Sequence, residues 1–359
     1  MIEAHFGETA PFSVGVEEEL MVLDGETLAL APRAMDLIAA SADRDLPGTL
    51  KSELFASALE LNTGICESAD QAAEALAGLR RDAAELAEER GLRLAAAGSH
   101  PISRPEEQEI ADEARYAEFV EYAGVSARRQ GVSGLHVHVG MESSEACFHA
   151  LEGVLPWLPV VLALSVNSPY LAGEATGLMS NRAEVLAQLP RSGAPPAFTS
   201  YEDWEEFIDR FVRLGMAAEY TRFWWDVRPH PSFGTLEIRM PDQPTALERT
   251  TAFVALLQGL CEAVLAQPPR EHEPAARGLY HQNRWAAARF GLRGELFHPD
   301  GERTGRASEL ALELFELVSE PGLLDTTRTE ADRQLEVGRA NGLEAVCADL
   351  CARTLSSAT

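Results

Sequence analysis

Seven acid, imidazole or guanidinium side chains fall in short stretches where a buried strand would ordinarily be aliphatic. They are Glu17 and Glu19 in SVGVEEELMVLD, Glu60 in ALELNT, His136 and His138 in SGLHVHVGM, and Glu237 and Arg239 in GTLEIRM. Side chains alternate faces along a strand, so Glu17 and Glu19 share one face with Gly15, Met21 and Leu23, while Val14, Val16, Leu20 and Val22 take the other. Same-face neighbours lie about 6 to 7 Å apart, and at an effective dielectric of about 20 two carboxylates there repel by roughly 2.5 kcal/mol. A hard divalent cation such as Mg²⁺ or Ca²⁺ removes that repulsion. An edge strand whose acids deter pairing is the plain alternative. Glu18 falls on the valine face, where a helix cap or an ion pair would have to answer it.

The same alternation puts Glu60 opposite Leu59 and Leu61, in company with Ala58 and Asn62. His136 and His138 share a face against Leu135, Val137 and Val139. Imidazoles two apart on a strand can converge on a metal, or can be buried and satisfied by neighbours. Glu237 and Arg239 share a face against Leu236, Ile238 and Met240, which suits a metal ligand beside a phosphate or carboxylate clamp, and equally a cross-strand ion pair. Asn181, Arg182 and the triplet Arg191-Ser192-Gly193 sit in a loop-rich segment of the kind that makes substrate contacts. His100, in the loop Gly98-Ser99-His100-Pro101, reads as structural.

The elements that must position these residues follow from periodicity. Asp24-Gly25-Glu26 turns the first strand into a short second one, Leu28 to Ala31, as a hairpin. Asp70 to Arg90 has apolar residues at helical spacing and ends at Gly91, with its charges expected on a solvated face. Strands centre on Leu59 and Leu61, on Leu92 to Ala97 and on Ser133 to Met141, and Trp224 to Met240 reads as strand, turn and strand. Helices are expected over 32–42, 105–122, 145–166, 201–220, 245–266, 277–290, 306–318 and 327–353, the fourth burying Trp204, Phe207, Phe211 and Leu214. The last residues, Leu355 to Thr359, are expected to fray.

With 359 residues, 46% hydrophobic, the chain can bury a large core. Its 57 acids against 30 bases leave a net charge of −27. That balance argues against a nucleic-acid partner, and it repels free nucleotide, so any ATP would have to be received through metal ions and a few placed arginines. Five scattered cysteines without a C-x-x-C pair, and an amino terminus without a secretory pattern, point to a reducing cytoplasm. The most apolar run, 154–166, holds two prolines and is too short to span a bilayer. No G-x-x-x-x-G-K-[ST] loop and no nucleophile–histidine arrangement is present.

In order and spacing, G-V-E-E-E, E-L-N-T-G, G-x-H-V-H-V-G, M-S-N-R-A-E, L-E-I-R and H-Q-N-R-W-x-A-x-R-F-G resemble the type 2 glutamate–cysteine ligase family, more narrowly its bacterial and archaeal carboxylate–amine ligase branch. The likeness runs from about Pro11 to Val346, so residues 1–359 are expected to form one catalytic domain. It implies an α+β fold, a curved antiparallel sheet forming a cup with helices outside, similar to the catalytic domain of glutamine synthetase. It also implies ATP-dependent joining of the glutamate γ-carboxylate to the amine of cysteine through a γ-glutamyl phosphate, with ATP and Mg²⁺ as cofactors. By the same resemblance Glu17, Glu19, Glu60 and Glu237 are metal ligands. His136 lies near the nucleotide and metal, Arg239 stabilises the transferring phosphate, and Asn181, Arg182 and Arg284 belong to substrate-binding motifs. Branch members tend to be homodimers. The competing readings are a Zn²⁺ hydrolase built on His136 and His138, and a non-catalytic metabolite binder.

Overall fold

The computed structural model describes residues 2–320 and 322–356. Its organising element is β1 (Val14–Asp24), whose Val14, Val16, Leu20 and Val22 are buried on one face and whose Glu17 and Glu19 lie on the other. One edge of β1 pairs with β3 (Ala58–Thr63), which pairs in turn with β2 (Gly48–Ser52). The other edge is shared: β5 (Leu135–Gly140) takes Val14 to Glu18, and β4 (Leu92–Ala95) takes Met21 to Asp24. Short β6 (Tyr170–Leu171) and β7 (Glu174–Ala175) make a separate hairpin. The main sheet is completed by β9 (Thr235–Ile238) against β5 and by β8 (Val227–His230) at the edge. The order is β2-β3-β1-β5-β9-β8, antiparallel throughout and open. A further pair, β10 (Glu295–Phe297) and β11 (Thr304–Arg306), lies apart.

The aliphatic face, with Val16, Leu20, Leu61, Val137 and Ile238, is covered by the helices Ala69–Glu88 and Leu247–Leu265 and by the helical run Ser144–Ser165. That run is long and apolar enough by composition to cross a bilayer, but 78% of its most apolar window is buried inside the molecule as core. Prolines 156 and 159 divide it into Ser144–Val154, a 3₁₀ turn and Leu158–Ser165. On the polar face, the helices Ala114–Ala123 and Asn181–Leu186 and the turn Tyr220–Arg222 wall in a cup.

Several expectations change. The hairpin after β1 reduces to a single bridge, Leu23 to Leu30. The stretch from Pro105 begins with a 3₁₀ turn and becomes helical only at Ala114. The long last helix is two, Glu330–Asn341 and Leu343–Leu355, because Gly342 sits at φ +85°, where side-chain-bearing residues are strained. Leu214 follows the end of its helix and is exposed, whereas Ile208 is buried there in place of it. Of the carboxy-terminal residues expected to fray, Leu355 closes the last helix and 357–359 lie outside the described residues.

The charges of Ala69–Glu88 are not all solvated. Arg80 is fully buried and answers Glu18, with Nε to Oε2 at 2.8 Å and Nη2 to Oε1 at 2.5 Å. Thr250 Oγ1 and Gln243 Nε2 donate to the same carboxylate, and Arg80 Nη1 donates to the carbonyls of Thr245 and Thr354. Burial pushes the Glu18 carboxyl up, but the guanidinium outweighs it and holds it below the ordinary range. An acid pointing into an aliphatic layer is tolerable only with its charge and lone pairs answered in this way. The result pins β1 from behind, between the two acids that face the cup.

Candidate active site

Register alone brings the unusual residues together. Across the polar face Glu17 stands between Asn62 and His136, Glu19 beside Glu60, and His138 beside Glu237. Because every pairing is in register on one face, side chains more than 200 residues apart in sequence become neighbours.

They form two groups, each with ligand atoms within 4.8 Å of one another. The first is Glu17, His138 and Glu237. His138 Nδ1 is engaged with Thr235 Oγ1 at 2.9 Å, while its buried Nε2 has no hydrogen-bond partner and lies 3.7 Å from Glu17 Oε1. An imidazole oriented through one nitrogen, with the other unsatisfied beside two carboxylates, fits a divalent cation. The second group is Glu19, Glu53 and Glu60. Burial first, and then the neighbouring carboxylates, push Glu19 and Glu53 up to about 7 and Glu60 up to about 8. Three convergent acids suit a hard cation with oxygen ligands.

Glu53 is the residue that sequence reading missed. It lies in the turn after β2, outside any strand, where alternation says nothing. The only signal was an acid next to a chain reversal leading to Glu60.

His138, rather than His136, enters a ligand group. His136 Nδ1 is 3.2 Å from Glu17 Oε2 and 3.4 Å from Arg239 Nη1, and burial together with that arginine lowers its pKa to about 4. Among the described residues His136 therefore lies outside both groups, although it and His138 flank the same Glu17 carboxylate at 3.2 and 3.7 Å. Glu237 is bound by Arg228, Nε to Oε2 at 2.5 Å, and by Arg239 Nη1. Burial opposes its ionisation, yet the two guanidiniums hold it well below the usual carboxylate range. Glu17 is likewise held low against burial by the two imidazoles beside it, His136 at hydrogen-bond distance and His138 slightly farther away.

The loop-segment candidates separate. Arg182, in the helix Asn181–Leu186, reaches the cup and donates to the carbonyls of Met240 and Arg239 at 3.1 and 3.0 Å. A Cβ on Gly134 would collide with its guanidinium, which makes that glycine a requirement of the site. The Gly134 N–H in turn donates to Glu19 Oε2 at 2.6 Å. Asn181 starts the same helix, buried and away from the cavity lining, with its side-chain amide nitrogen unpaired. Arg284 is buried against Asp226, with Nε to Oδ2 at 2.8 Å, and donates to the carbonyl of Ala183. Tyr280 donates to the same Asp226 carboxylate. His100 is structural, as expected: Nε2 is 3.0 Å from the Leu28 carbonyl and Nδ1 accepts from the backbone of Ser103.

Two predictions follow from these placements. Replacing Arg284 with Met strands the buried Asp226 charge and should cost about 3 to 5 kcal/mol in denaturant unfolding. A variant of wild-type stability with only a raised KM for an acidic substrate would instead make Arg284 a ligand. The raised carboxyls of Glu19, Glu53 and Glu60 favour the protonated form in the folded state, so their contribution to stability is present at low pH and is lost as pH rises through about 7 to 8. Added Mg²⁺ should therefore raise the Tm of metal-free protein more at about pH 8 than at about pH 6, in differential scanning fluorimetry. A Tm indifferent to Mg²⁺ at the higher pH would remove the second group as a cation site.

Comparison with known proteins identifies the family and the fold. Residues 13–340 match the family described as "Glutamate-cysteine ligase family 2(GCS2)". A candidate glutamate–cysteine ligase 2-3 of Rubrobacter xylanophilus is 42% identical over 360 residues, covering 96% of this chain and 98% of its own. A candidate glutamate–cysteine ligase 2 of Sorangium cellulosum is 35% identical, covering 94% and 95%. The fold is similar to that of the Francisella tularensis glutamate–cysteine ligase crystallised with AMP, with a TM-score of 0.72 at 15% identity, covering 98% of this chain and 89% of that one. With relatives matched almost end to end and the family's span running through every strand of the cup, this chain belongs to glutamate–cysteine ligase family 2.

Proposed function

We propose that this protein is an ATP-dependent ligase, acting as one catalytic unit, that joins the γ-carboxylate of glutamate to the amine of an amino acid, giving γ-glutamylcysteine when that amine is cysteine. The observation that carries this reading is the convergence of two cation-suited groups and Arg239 on one face of one sheet. Glu17 and His138 line a cavity of about 490 Å³ that also holds Lys51 and the apolar rim Ile65 and Phe233, which suits a nucleotide. Glu19, Glu53, Arg182 and Arg239 line a neighbouring cavity of about 360 Å³, which suits amino-acid carboxylates. Glu17 and Glu19 are two apart on the same face of β1, so the cavities meet where the γ-phosphate and γ-carboxylate would react.

A carboxylate does not acylate an amine at neutral pH and must be activated. A γ-carboxylate oxygen attacks the γ-phosphorus of ATP, the bond to the ADP oxygen breaks, and an acyl phosphate results. The amine nitrogen then attacks the acyl carbon, phosphate leaves, and the amine proton is lost to water. Such transfer needs charge neutralisation and in-line positioning rather than a protein nucleophile. Mg²⁺ held by the two acid groups would supply most of that neutralising charge. Arg239 adds a fixed positive charge at the junction, and His136, neutral near pH 7, spaces it from Glu17. Arg182, tied to two carbonyls, presents its charge toward Glu19.

The test is ADP release from Mg²⁺-ATP across a panel of amines. Release that requires both glutamate and an amine is expected. No amine-dependent release, or hydrolysis of substrates without nucleotide, would overturn the assignment.

A further inference from the structure

Beside the main cavity lies a smaller one of about 160 Å³, and the two share three lining residues: Phe119, Arg222 and Trp224. Phe119 and Trp224 stand with ring centroids 5.2 Å apart, and Met216 and Ala217 continue the apolar lining. Arg222 is half-buried and, among the described residues, has no carboxylate within ion-pair distance and no side-chain hydrogen bond. In a chain with 57 acids and 30 bases, an arginine on a cavity wall that forms no ion pair is out of keeping with its surroundings. Acids line both cavities, among them Glu118 in the smaller and Glu219 in the main one; among the described residues neither forms an ion pair with Arg222, and Glu219 accepts from the Thr221 hydroxyl.

The wall is also held in place. Arg191 donates to the Arg222 carbonyl at 3.2 Å and to the Tyr122 hydroxyl at 3.1 Å, with its guanidinium among the rings of Tyr122, Phe211, Phe223 and Trp224. Its backbone sits at φ +59°, a conformation that a side-chain-bearing residue keeps only where the surroundings enforce it. From the other side Arg228, which binds Glu237, donates to the carbonyls of Thr221 and Phe223 on either side of Arg222. The turn bearing Arg222 is thus tied directly to a candidate cation ligand.

We propose that this side cavity selects the second substrate, an α-amino acid with an aromatic or large apolar side chain: Arg222 takes its carboxylate, and its side chain packs on the wall formed by Phe119 and Trp224 together. This rests on the ligase reading above. A cysteine side chain leaves much of the apolar cavity unfilled and forfeits its contacts. Arg222 is a guanidinium without an ion pair on the shared wall, able to pair with a carboxylate while the amine enters the main cavity that Glu19 and Arg239 also line.

The test uses the full chain with Mg²⁺-ATP and glutamate, reading ADP release and product mass with phenylalanine, leucine, alanine, cysteine and 2-phenylethylamine. Phenylalanine is expected to exceed alanine and cysteine in kcat/KM by about ten-fold or more. It should exceed 2-phenylethylamine, which lacks the carboxylate, by about ten-fold to a hundred-fold. In Arg222→Ala the KM for phenylalanine should rise to that of 2-phenylethylamine with the KM for glutamate unmoved, and Arg222→Lys should recover part of the difference. Trp224→Ala should erase the preference over alanine. Equal use of phenylalanine and 2-phenylethylamine by wild type, or equal use of phenylalanine and alanine, overturns the proposal. So does an Arg222→Ala variant whose KM rises for glutamate instead. In each of those cases ADP release with some amine leaves the ligase reading standing, whereas silence with every amine removes both.

Discussion

Glu60→Gln is expected to abolish turnover, by about 10³-fold or more, while metal-free protein melts no lower than wild type. The loss follows from charge: a cation contributes several kcal/mol of transition-state stabilisation, and each 1.36 kcal/mol is ten-fold in rate. Glu60 is paired with Glu19 across β1 and β3 and lies in one ligand group with Glu19 and Glu53. Glutamine keeps its shape but removes a third of that group's negative charge. Stability moves the other way, because three convergent, largely desolvated carboxylates repel one another without a cation, so neutralising one relieves the strain at about pH 8. Steady-state ADP release and a melting curve with and without Mg²⁺ read both effects. A variant that keeps most of its activity would mean that the acids of β1 and β3 do not hold a working cation.

Arg239→Ala should lower kcat by about 10³-fold to 10⁵-fold with little change in ATP affinity, as expected for a charge that acts mainly on the transferring phosphoryl group. Folding should survive, because Arg228 still pairs with Glu237 and its own guanidinium is tied to the carbonyls of Thr221 and Phe223. The measurement is kcat beside a direct nucleotide dissociation constant. Equal losses in both would place Arg239 in ground-state binding and not in the transition state.

Much of this site was legible before any coordinates. Period-two alternation put Glu17 and Glu19, His136 and His138, and Glu237 and Arg239 on common faces, and the sheet keeps each pair there. Alternation reports which side of a strand a residue takes, and nothing about which strand lies next to it. His138, to which alternation assigned no partner, shows that limit: both imidazoles face the cup, but only the pairing of β5 with β9 puts His138 beside Glu237. Arg284 shows another. Its motif is dense in donors, yet Asp226, from a distant segment, takes its charge into the interior.

By itself the sequence determined the faces of the strands, most of the helices and the need for something to hold clustered acids, because these depend on local periodicity and on Coulomb repulsion between near neighbours. Tertiary structure decided which acids share a cation site, that Glu53 joins Glu19 and Glu60 from a turn, and that Arg80 reaches through the core to Glu18. Those contacts span from seven residues to more than two hundred, and no local rule ranks one distant partner above another. Strand register and helix packing choose among them, and both are settled only when the whole apolar face is buried at once.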